Sequence, residues 1–367
     1  MRKLFLLIAM CMGLTLGIAG AASDQAPEGY AGGQYGYAVK KPVIAGACHF
    51  CPWGALADAV IASMKPYGWD IKGCFSCSMA NSIRLPAQHK IPLRLNPWQI
   101  ASGTPLPPYA PVDLGATSPQ NLYDAYHGGG QFKDDGPYTH LRLVARIDQP
   151  SYFVVAVKES TGIKDLAQIK AKKMPVRIYS AGAEAAKVLS YYGLTKEALE
   201  SWGGSLGSAP VADPAVPLPP NPGNRPTNVA DFDVYLYPNA VMANNPESNL
   251  MYQLTPVQNF YFLQLPEDLL QKLAEWPLER VVMPQAYFAG VDRNIQTVGR
   301  NGQVVFVRDD APDDFSYDLA KALDKQKALL KWYVLPFSYD PATVTSVRDV
   351  PLASGAARYY REAGYIK

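Results

Sequence analysis

The 367-residue chain carries 34 lysine and arginine residues against 32 aspartate and glutamate residues, and its formal net charge is only +2. Because the two signs are interspersed, the sequence lacks the basic surface that nucleic acid requires, and small molecules or proteins are the expected partners. The chain is also longer than one compact core accommodates, which favours two lobes.

Residues 1–22 have the order of a secretory signal. Arg2 and Lys3 precede the apolar run "LFLLIAMCMGLTLGIAG", and small residues follow it. A basic flank, a short apolar core and a small-residue cleavage site are typical of a signal peptide, whereas the core is too short to span a bilayer. We predict cleavage near Ala22, loss of Cys11 with the signal, and export to the periplasm. A Gly/Tyr-rich lead-in occupies residues 23–40.

Strand and helix patterns then alternate. "PVIAGA" predicts a buried strand, and "GALADAVIASM" predicts a helix with Leu56, Val60 and Met64 on one face, closed by Pro66. "WDIKG" predicts a second strand, and "SMANSIRL" predicts a short helix that stops at Pro86. A β-α-β-α order with short turns indicates a parallel sheet with helices on its faces.

The pattern continues after a proline-rich insertion at residues 86–111. "VDLGA" predicts a strand, "SPQNLYDAYHGGG" a helix, and "LRLVARI" and "SYFVVAVKE" two strands that cross to a second lobe. There "VRIYS", "AGAEAAKVLSYYGL" and "DFDVYLYP" predict strand, helix and strand, with a proline-rich loop before the last. Strands near "VVMPQAYFAG" and "QVVFVRDD" are expected to return to the first lobe, and two helices within residues 317–333 and 355–366 end the chain.

We therefore predict an α/β fold of two lobes, each an open, mostly parallel sheet flanked by helices. Residues 41–152 and 293–367 form the predicted first lobe, and residues 153–292 form the second. In such sheets, ligands bind beyond the carboxyl ends of the strands, at helix N-termini. No Ser/His/Asp order, carboxylate pair or H-E-x-x-H motif indicates catalysis, so we predict a binding protein rather than an enzyme.

Several segments carry a resemblance to a known family. They are "IAGACHFCPWGALADAV", "DLGATSPQNLYDAYHGGGQF", "LRLVARI", "VRIYSAGAEAAKVL", "VGRNGQVVFVRDDAPDDFSYDLAKAL" and "GAARYYREAGY". In order and spacing, from about residue 43 to residue 365, they resemble the TAXI-type extracytoplasmic solute receptors that serve TRAP transporters. The resemblance implies a type II periplasmic-binding-protein-like fold that closes over a small solute and delivers it to the membrane subunits of a TRAP transporter.

The resemblance also implies a solute class and a set of contacts. The solute would be a small carboxylate or an amino acid such as glutamate. On matching positions, the ligand-binding residues would be Cys48, His49, Phe50, Trp53, Phe75, Ser76, Ser78, Asn81, Gln120, Tyr126, Ser180, Ala181, Gly182, Glu184, Tyr237 and Asn239. The family's first loop is rich in Gly, Ser and Thr, and its second has Gly-Gly where this chain has Phe75, Ser76 and Cys77, so the solute class transfers least.

Two CxxC motifs, Cys48 with Cys51 and Cys74 with Cys77, follow two predicted neighbouring strands. If both strand ends lie on one sheet edge, the four sulfur atoms share a small volume. Two disulfides are favoured in an oxidising compartment, and cross-pairing would close loops of roughly 25 residues, worth about 3 kcal/mol in the chain-entropy model.

Two other uses of these cysteines stay open. One is a Cys₄ site for zinc or Cu(I), with His49 as a substitute ligand. The other is thiol-disulfide exchange, because Cys51 precedes Pro52 at a predicted helix start, where a thiol pKa is lowered. Haem attachment is excluded, since Pro52 and Ser78 stand where that motif needs histidine. The main prediction is a solute receptor without a cofactor, and the alternatives are a periplasmic soft-metal or metalloid-binding protein and a thiol-disulfide oxidoreductase.

Overall fold

The computed structural model describes residues 35–46, 52–75, 80–92, 110–207, 232–241, 250–255, 258–333 and 335–367. The strands in these ranges are β1 (Val43–Gly46), β2 (Lys72–Phe75), β3 (Leu114–Thr117), β4 (Leu141–Lys158), β5 (Arg177–Ser180), β6 (Ser205–Gly207), β7 (Val234–Val241), β8 (Phe260–Phe262), β9 (Glu279–Met283), β10 (Ile295–Gly299) and β11 (Asn301–Arg308).

The helices in the same ranges are α1 (Tyr35–Ala38), α2 (Pro52–Met64), α3 (Asn81–Ala87), α4 (Pro119–His127), α5 (Ala167–Ala171), α6 (Gly182–Tyr192), α7 (Lys196–Ser201), α8 (Leu250–Leu254), α9 (Glu267–Leu273), α10 (Asp313–Lys325), α11 (Lys327–Leu330) and α12 (Ser354–Glu362). Among these helices, none has both the length and the apolar character needed to cross a lipid bilayer.

The strands form two half-sheets that share β4. In the first half-sheet β2, β1 and β3 are parallel, and β11 lies antiparallel between β3 and the first part of β4. In the second half-sheet β6, β5 and β7 are parallel, and the second part of β4 lies antiparallel between β7 and β8. Each half-sheet thus has three parallel strands followed by an antiparallel strand, which confirms the predicted α/β class.

Each half-sheet has an apolar cluster on both of its faces. In β4, Ala145 and Ile147 pack into the cluster that contains α2 and α10, whereas Leu143 packs on the opposite face with α4. Further along the same strand, Phe153 and Tyr152 likewise enter two different clusters. Covering both faces removes the sheet from water and explains the nearly continuous apolar runs in the sequence. The assignment of residues 41–152 and 293–367 to one lobe and of residues 153–292 to the other remains a prediction.

Helix α2 follows the predicted pattern closely. Its residues Leu56, Val60 and Met64 are fully buried along one stripe against the first half-sheet. Pro52 occupies the first helical position, where its missing N–H is not needed. After a short 3₁₀ turn, Gly68 adopts a left-handed conformation and its N–H donates to the carbonyl of Lys65, which ends the helical segment.

Strand β4 is continuous where the sequence predicts two strands. The prediction of a break at Pro150 is wrong, because β4 runs from Leu141 to Lys158. On one edge of β4, the N–H of Asp148 donates to the carbonyl of Ser338, whereas Tyr152 pairs with β7. Pro150 lies between these two neighbours, where the strand loses no ladder hydrogen bond.

Other boundaries also differ from the predictions. Helix α3 includes Pro86 in its last turn, where a proline removes only one hydrogen bond. The strand predicted at residues 69–73 begins later, at Lys72. The helix predicted at residues 317–333 is divided at Gln326, whose side-chain amide donates to the carbonyl of Ser63. Strand β9 ends at Met283 and pairs with β10, so it does not return to the first half-sheet.

Asp113 is buried at the start of β3. Its Oδ2 accepts a hydrogen bond from the backbone N–H of Val43 at 2.8 Å, which ties the starts of β3 and β1 together. Its Oδ1 has no hydrogen-bond partner among the described residues, and His89 Nδ1 lies 3.9 Å away. Burial raises the pKa of Asp113 to about 7, against the lowering effects of the Val43 N–H and of Arg308.

We expect the Asp113→Asn variant to be more stable than the parent chain at pH 8, by about 3 kcal/mol. Folding raises the pKa of Asp113, so its carboxyl group stabilises the folded chain most below the unfolded pKa of about 4. This stabilisation is lost as the pH rises through the folded pKa of about 7. Urea unfolding at pH 4.5 and pH 8 measures the effect, with the exposed Asp134→Asn variant as control. If Asp113→Asn differs from the parent chain by the same free energy of unfolding at both pH values, the raised pKa of Asp113 is contradicted.

Candidate functional site

The carboxyl ends of the parallel strands in both half-sheets point to the place where β4 passes from one to the other. We call Gln149, Pro150, Ser151, Arg300 and Asn301 the crossover. Strand β11 starts there, because Asn301 pairs with Pro150, and β3 runs antiparallel to β11 towards it. In the second half-sheet, β7 reaches the crossover where Val241 pairs with Ser151, and β5 runs parallel to β7. Both sets of strand ends therefore confront the crossover, as the sequence predicts for ligand-binding tips.

At the end of β3, α4 begins with a local hydrogen-bond network. Ser118 is its N-cap, and the Ser118 Oγ accepts from the Asn121 N–H at 3.2 Å. The Asn121 side chain donates to Thr117 Oγ1 at 3.4 Å and accepts from Gln131 Nε2 at 3.3 Å. The predicted Gln120 lies in the first turn and hydrogen-bonds to Asp124. This network fixes the start of α4 beside the crossover.

Helix α4 also contacts the second half of the molecule. The guanidinium of Arg348 lies 5.3 Å from the ring centres of both Tyr123 and Trp276, and the two rings are 5.8 Å apart. Trp276 follows α9, which packs against the second half-sheet, so this contact joins the two halves. The predicted Tyr126 lies on the same helix and packs edge-on against His127 at 5.2 Å. A cation beside two aromatic rings stabilises such a contact.

The predicted residues Ser180, Ala181, Gly182 and Glu184 form the tip between β5 and α6. Ala181 is the N-cap, and Gly182 has a φ of +85°, which favours glycine. A Cβ atom on Gly182 would also come within 2.6 Å of Glu184 Oε2. The Glu184 side chain is only 5% exposed and forms an ion pair with Arg300 of the crossover. Glu184 thus ties the start of α6 to the crossover.

The other predicted ligand-binding residues in the described ranges lie in different parts of the fold. Trp53 lies in the first turn of α2, and its buried Nε1 has no hydrogen-bond partner among the described residues. Phe75 packs in the apolar core beneath α2, and Asn81 is the first residue of α3. Tyr237 of β7 stacks on Tyr235 with ring centres 5.3 Å apart. The side chain of Asn239 lies outside the described part of the structure, although its backbone belongs to β7.

The cysteine prediction falls mostly outside the described residues. Cys48, His49, Phe50, Cys51, Ser76, Cys77 and Ser78 are not among them. Strands β1 and β2 pair in parallel, with Gly46 opposite Phe75, so the segments that follow both strands leave the same edge of the sheet. The pairing or metal binding of these cysteines stays a prediction.

Cys74 is the one member of the two motifs in the described ranges. Its side chain is fully buried among Val43, Ala45, Leu85 and Val112. Burial raises the pKa of the Cys74 thiol to about 12. The thiol is therefore protonated at neutral pH in this environment, which does not favour the thiolate that metal binding or thiol exchange uses.

The structure adds polar residues to the site that the sequence prediction missed. Arg146 and Asp148 lie on β4 next to the crossover, with Arg146 Nε 3.7 Å from Asp148 Oδ1. Arg146 Nη2 is also 3.7 Å from Glu279 Oε1 of β9. Burial raises the pKa of Asp148, whose Oδ2 accepts from Thr343 Oγ1 at 3.1 Å. A signal was available in the sequence, because Arg146 and Asp148 place two charges in the interior of a mostly apolar 18-residue strand.

A shallow depression elsewhere is not part of this site. It has a volume of about 420 Å³ and is lined by Glu159, Ser160, Gln258 and Asn259. These residues lie near Lys158, at the end of β4 remote from the crossover. The crossover with its surrounding strand ends is therefore the candidate site.

Comparison with known proteins gives a family match over well over half of the chain. The model described as the NMT1-like family matches residues 110–214 and 236–364. The first matched segment contains β3 through β6, and the second extends from within β7 to α12. The match therefore includes strands of both half-sheets.

Solved structures also match at low sequence identity. One described as a periplasmic transporter is 12% identical, with 88% of this chain and 94% of that chain covered and a TM-score of 0.42. A TctC solute binding protein from Polaromonas is 13% identical, with coverages of 89% and 98% and a TM-score of 0.43. The substrate binding protein of an amino acid ABC transporter is 9% identical, with coverages of 78% and 93% and a TM-score of 0.32.

Proposed function

The chain belongs to the NMT1-like family, and from this premise we propose that it is a periplasmic solute-binding protein. It captures a small solute between its two halves and delivers it to a membrane transporter. The observation that carries the proposal is the convergence of the parallel strand ends of both half-sheets on one crossover. A solute held there touches both halves, so it binds a closed form better than an open one and shifts the population towards closure.

The bridging contacts support this mechanism. Two contacts join the halves: Arg348 lies beside Tyr123 and Trp276, and Arg146 lies beside Glu279. Contacts of this kind break when the halves part and form again when they close. The exposed strand ends then receive the solute in the open form, and closure shields it from water.

The finer parts of the proposal rest on the sequence resemblance. They are the assignment to the TAXI-type receptors, a carboxylate or amino acid as solute, and the membrane subunits of a TRAP transporter as partner. Secretion with removal of residues 1–22 belongs to the same proposal. The membrane partner is tested by co-purification of the solute-loaded chain with TRAP membrane subunits.

The central experiment is a thermal-shift screen of carboxylates, amino acids and soft metals, followed by calorimetry. A solute present at about 100 times its Kd adds about 2.7 kcal/mol of stability, which is readily measured. Small-angle scattering with the same solute is expected to show a more compact particle. If no solute raises the unfolding temperature and none makes the particle more compact, the receptor function is wrong.

Thiol counting and elemental analysis test the alternative uses of the cysteines. Two disulfides leave no titratable thiol in Cys48, Cys51, Cys74 and Cys77, whereas zinc or Cu(I) binding gives about one bound ion per chain. Four titratable thiols in air-exposed protein without metal would exclude both. An insulin-reduction assay tests the oxidoreductase alternative separately.

A further inference from the structure

Two glutamine side chains face each other beside the crossover. Gln149 of β4 and Gln303 of β11 are neighbours, and Gln303 Nε2 donates to Gln149 Oε1 at 3.4 Å. Gln149 is only 3% exposed. The remaining amide atoms of the pair, Gln149 Nε2 and Gln303 Oε1, are buried and have no hydrogen-bond partner in the described part of the structure. Buried polar atoms are nearly always paired in native proteins, so this pair needs a partner.

The chemistry of that partner follows from the two amides themselves. The pair leaves the Nε2 donor group of Gln149 and the Oε1 acceptor of Gln303 without partners in the described part of the structure. Turning both amides by 180° exchanges the roles of Gln149 and Gln303 but again leaves one donor and one acceptor. The group that satisfies both at once carries an acceptor and a donor together. A carboxamide or a peptide group does so with its donor and acceptor held in one plane, and a hydroxyl group does so on a single atom, whereas an ionised carboxylate offers acceptors alone.

The charges around the pair do not favour an anion. The guanidinium of Arg300 is already in an ion pair with Glu184. The guanidinium of Arg146 lies 3.7 Å from a carboxylate oxygen of Asp148 and 3.7 Å from one of Glu279. The guanidinium groups of Arg300 and Arg146 thus each have carboxylates nearby, although Arg146 Nε has no hydrogen-bond partner in the described part of the structure. A solute carboxylate would have to compete with these charges, but a neutral amide would not.

Burial of the pair also links binding to closure. Gln149 Nε2 and Gln303 Oε1 have no contact with solvent in this structure, so a solute reaches them only after a movement that exposes them, such as the parting of the halves. Closure without a solute leaves both atoms without the hydrogen bonds that water gives them in the open form, which is unfavourable. Closure around an amide satisfies both.

Building on the receptor function proposed above, we propose that Gln149 and Gln303 bind a neutral amide group of the solute. The preferred solute is therefore a carboxamide or a small peptide rather than the matching carboxylate. Gln149 donates to the carbonyl oxygen of that amide, and Gln303 accepts from its N–H. This assignment names two specificity residues and a substrate class.

Matched pairs of amide and acid test the proposal with the full mature chain. Calorimetry compares glutamine with glutamate, asparagine with aspartate, and nicotinamide with nicotinate. The amide member of at least one pair is expected to bind at least tenfold tighter than its acid. The double variant Gln149→Leu/Gln303→Leu is expected to lose that preference, while the exposed Gln271→Leu variant keeps it.

The stability of the variants provides a second readout. Because both glutamines carry unpaired buried atoms, their replacement by leucine is expected to leave the unfolding temperature of the solute-free protein equal or higher. The single Gln303→Leu variant serves if the double variant does not fold. A lower unfolding temperature with unchanged amide affinity would mean a structural role and overturn the proposal.

The outcomes separate this proposal from the receptor function. Tighter binding of the acid members, or of a solute without any amide, overturns the amide assignment and leaves the receptor function standing. Absence of binding by every solute in the screen overturns both. Loss of the amide preference in the glutamine variants alone supports the assignment.

Discussion

Replacement of Gly299 by alanine is expected to destabilise the folded chain by about 3 kcal/mol or more. Gly299 ends β10 beside the crossover, and an added Cβ atom would overlap the carbonyl oxygen of Ser151 and lie 2.9 Å from its carbonyl carbon. These are backbone atoms of β4, which pairs with β7 and β11 and cannot move aside alone. The added methyl group therefore displaces either β10 or the strand that joins the two half-sheets.

Urea unfolding of Gly299→Ala against the parent chain measures this effect. The matched control is Gly129→Ala, because Gly129 has a φ of −103° and an added Cβ would find its nearest neighbour at 3.8 Å. The control is expected to unfold within about 0.5 kcal/mol of the parent chain. Coincident unfolding curves for Gly299→Ala and the control would show that the crossover is not packed as described.

Removal of Arg300 is expected to cost about 2 kcal/mol, because it leaves the carboxylate of Glu184 buried without its partner. A fully buried pair would lose more, but the Arg300 side chain is 32% exposed and water screens part of the interaction. The double variant Arg300→Ala/Glu184→Ala removes both charges and is expected to recover most of the loss.

A double-mutant cycle over Arg300 and Glu184 gives the interaction energy directly. The pair joins the first turn of α6 to the crossover, so the same variants also report on solute binding. A cycle with an interaction energy near zero would mean that Arg300 and Glu184 do not act as a pair.

The local patterns predict much of the fold. The apolar stripe of Leu56, Val60 and Met64 identifies α2, and the alternation of strands and helices identifies the parallel parts of both half-sheets. A proline interrupts a strand only where a neighbouring strand needs its missing N–H as a hydrogen-bond donor. At Pro150 it does not, because the neighbouring strand changes there, and no local rule reveals that change.

The candidate site is less accessible to sequence reasoning. The order of strands predicts that the tip residues confront a common region, since the carboxyl ends of parallel strands share an edge. The Gln149 and Gln303 pair, however, joins residues 154 positions apart, and only the register of β4 on β11 brings them together. Likewise, the position of Glu184 at a strand-to-helix tip predicts a contact with ligand. Its ion-pair partner, Arg300, lies in a distant part of the sequence, and no local pattern reveals it.

The shared strand has a further consequence for the chain as a whole. Because β4 is the outer strand of one half-sheet and an inner strand of the other, neither half is a complete sheet without it. A chain divided before β4 would leave β11 with an open edge, and a chain divided after β4 would leave β7 and β8 without the strand between them. The two halves therefore depend on one shared strand, and we expect the chain to unfold as a single unit.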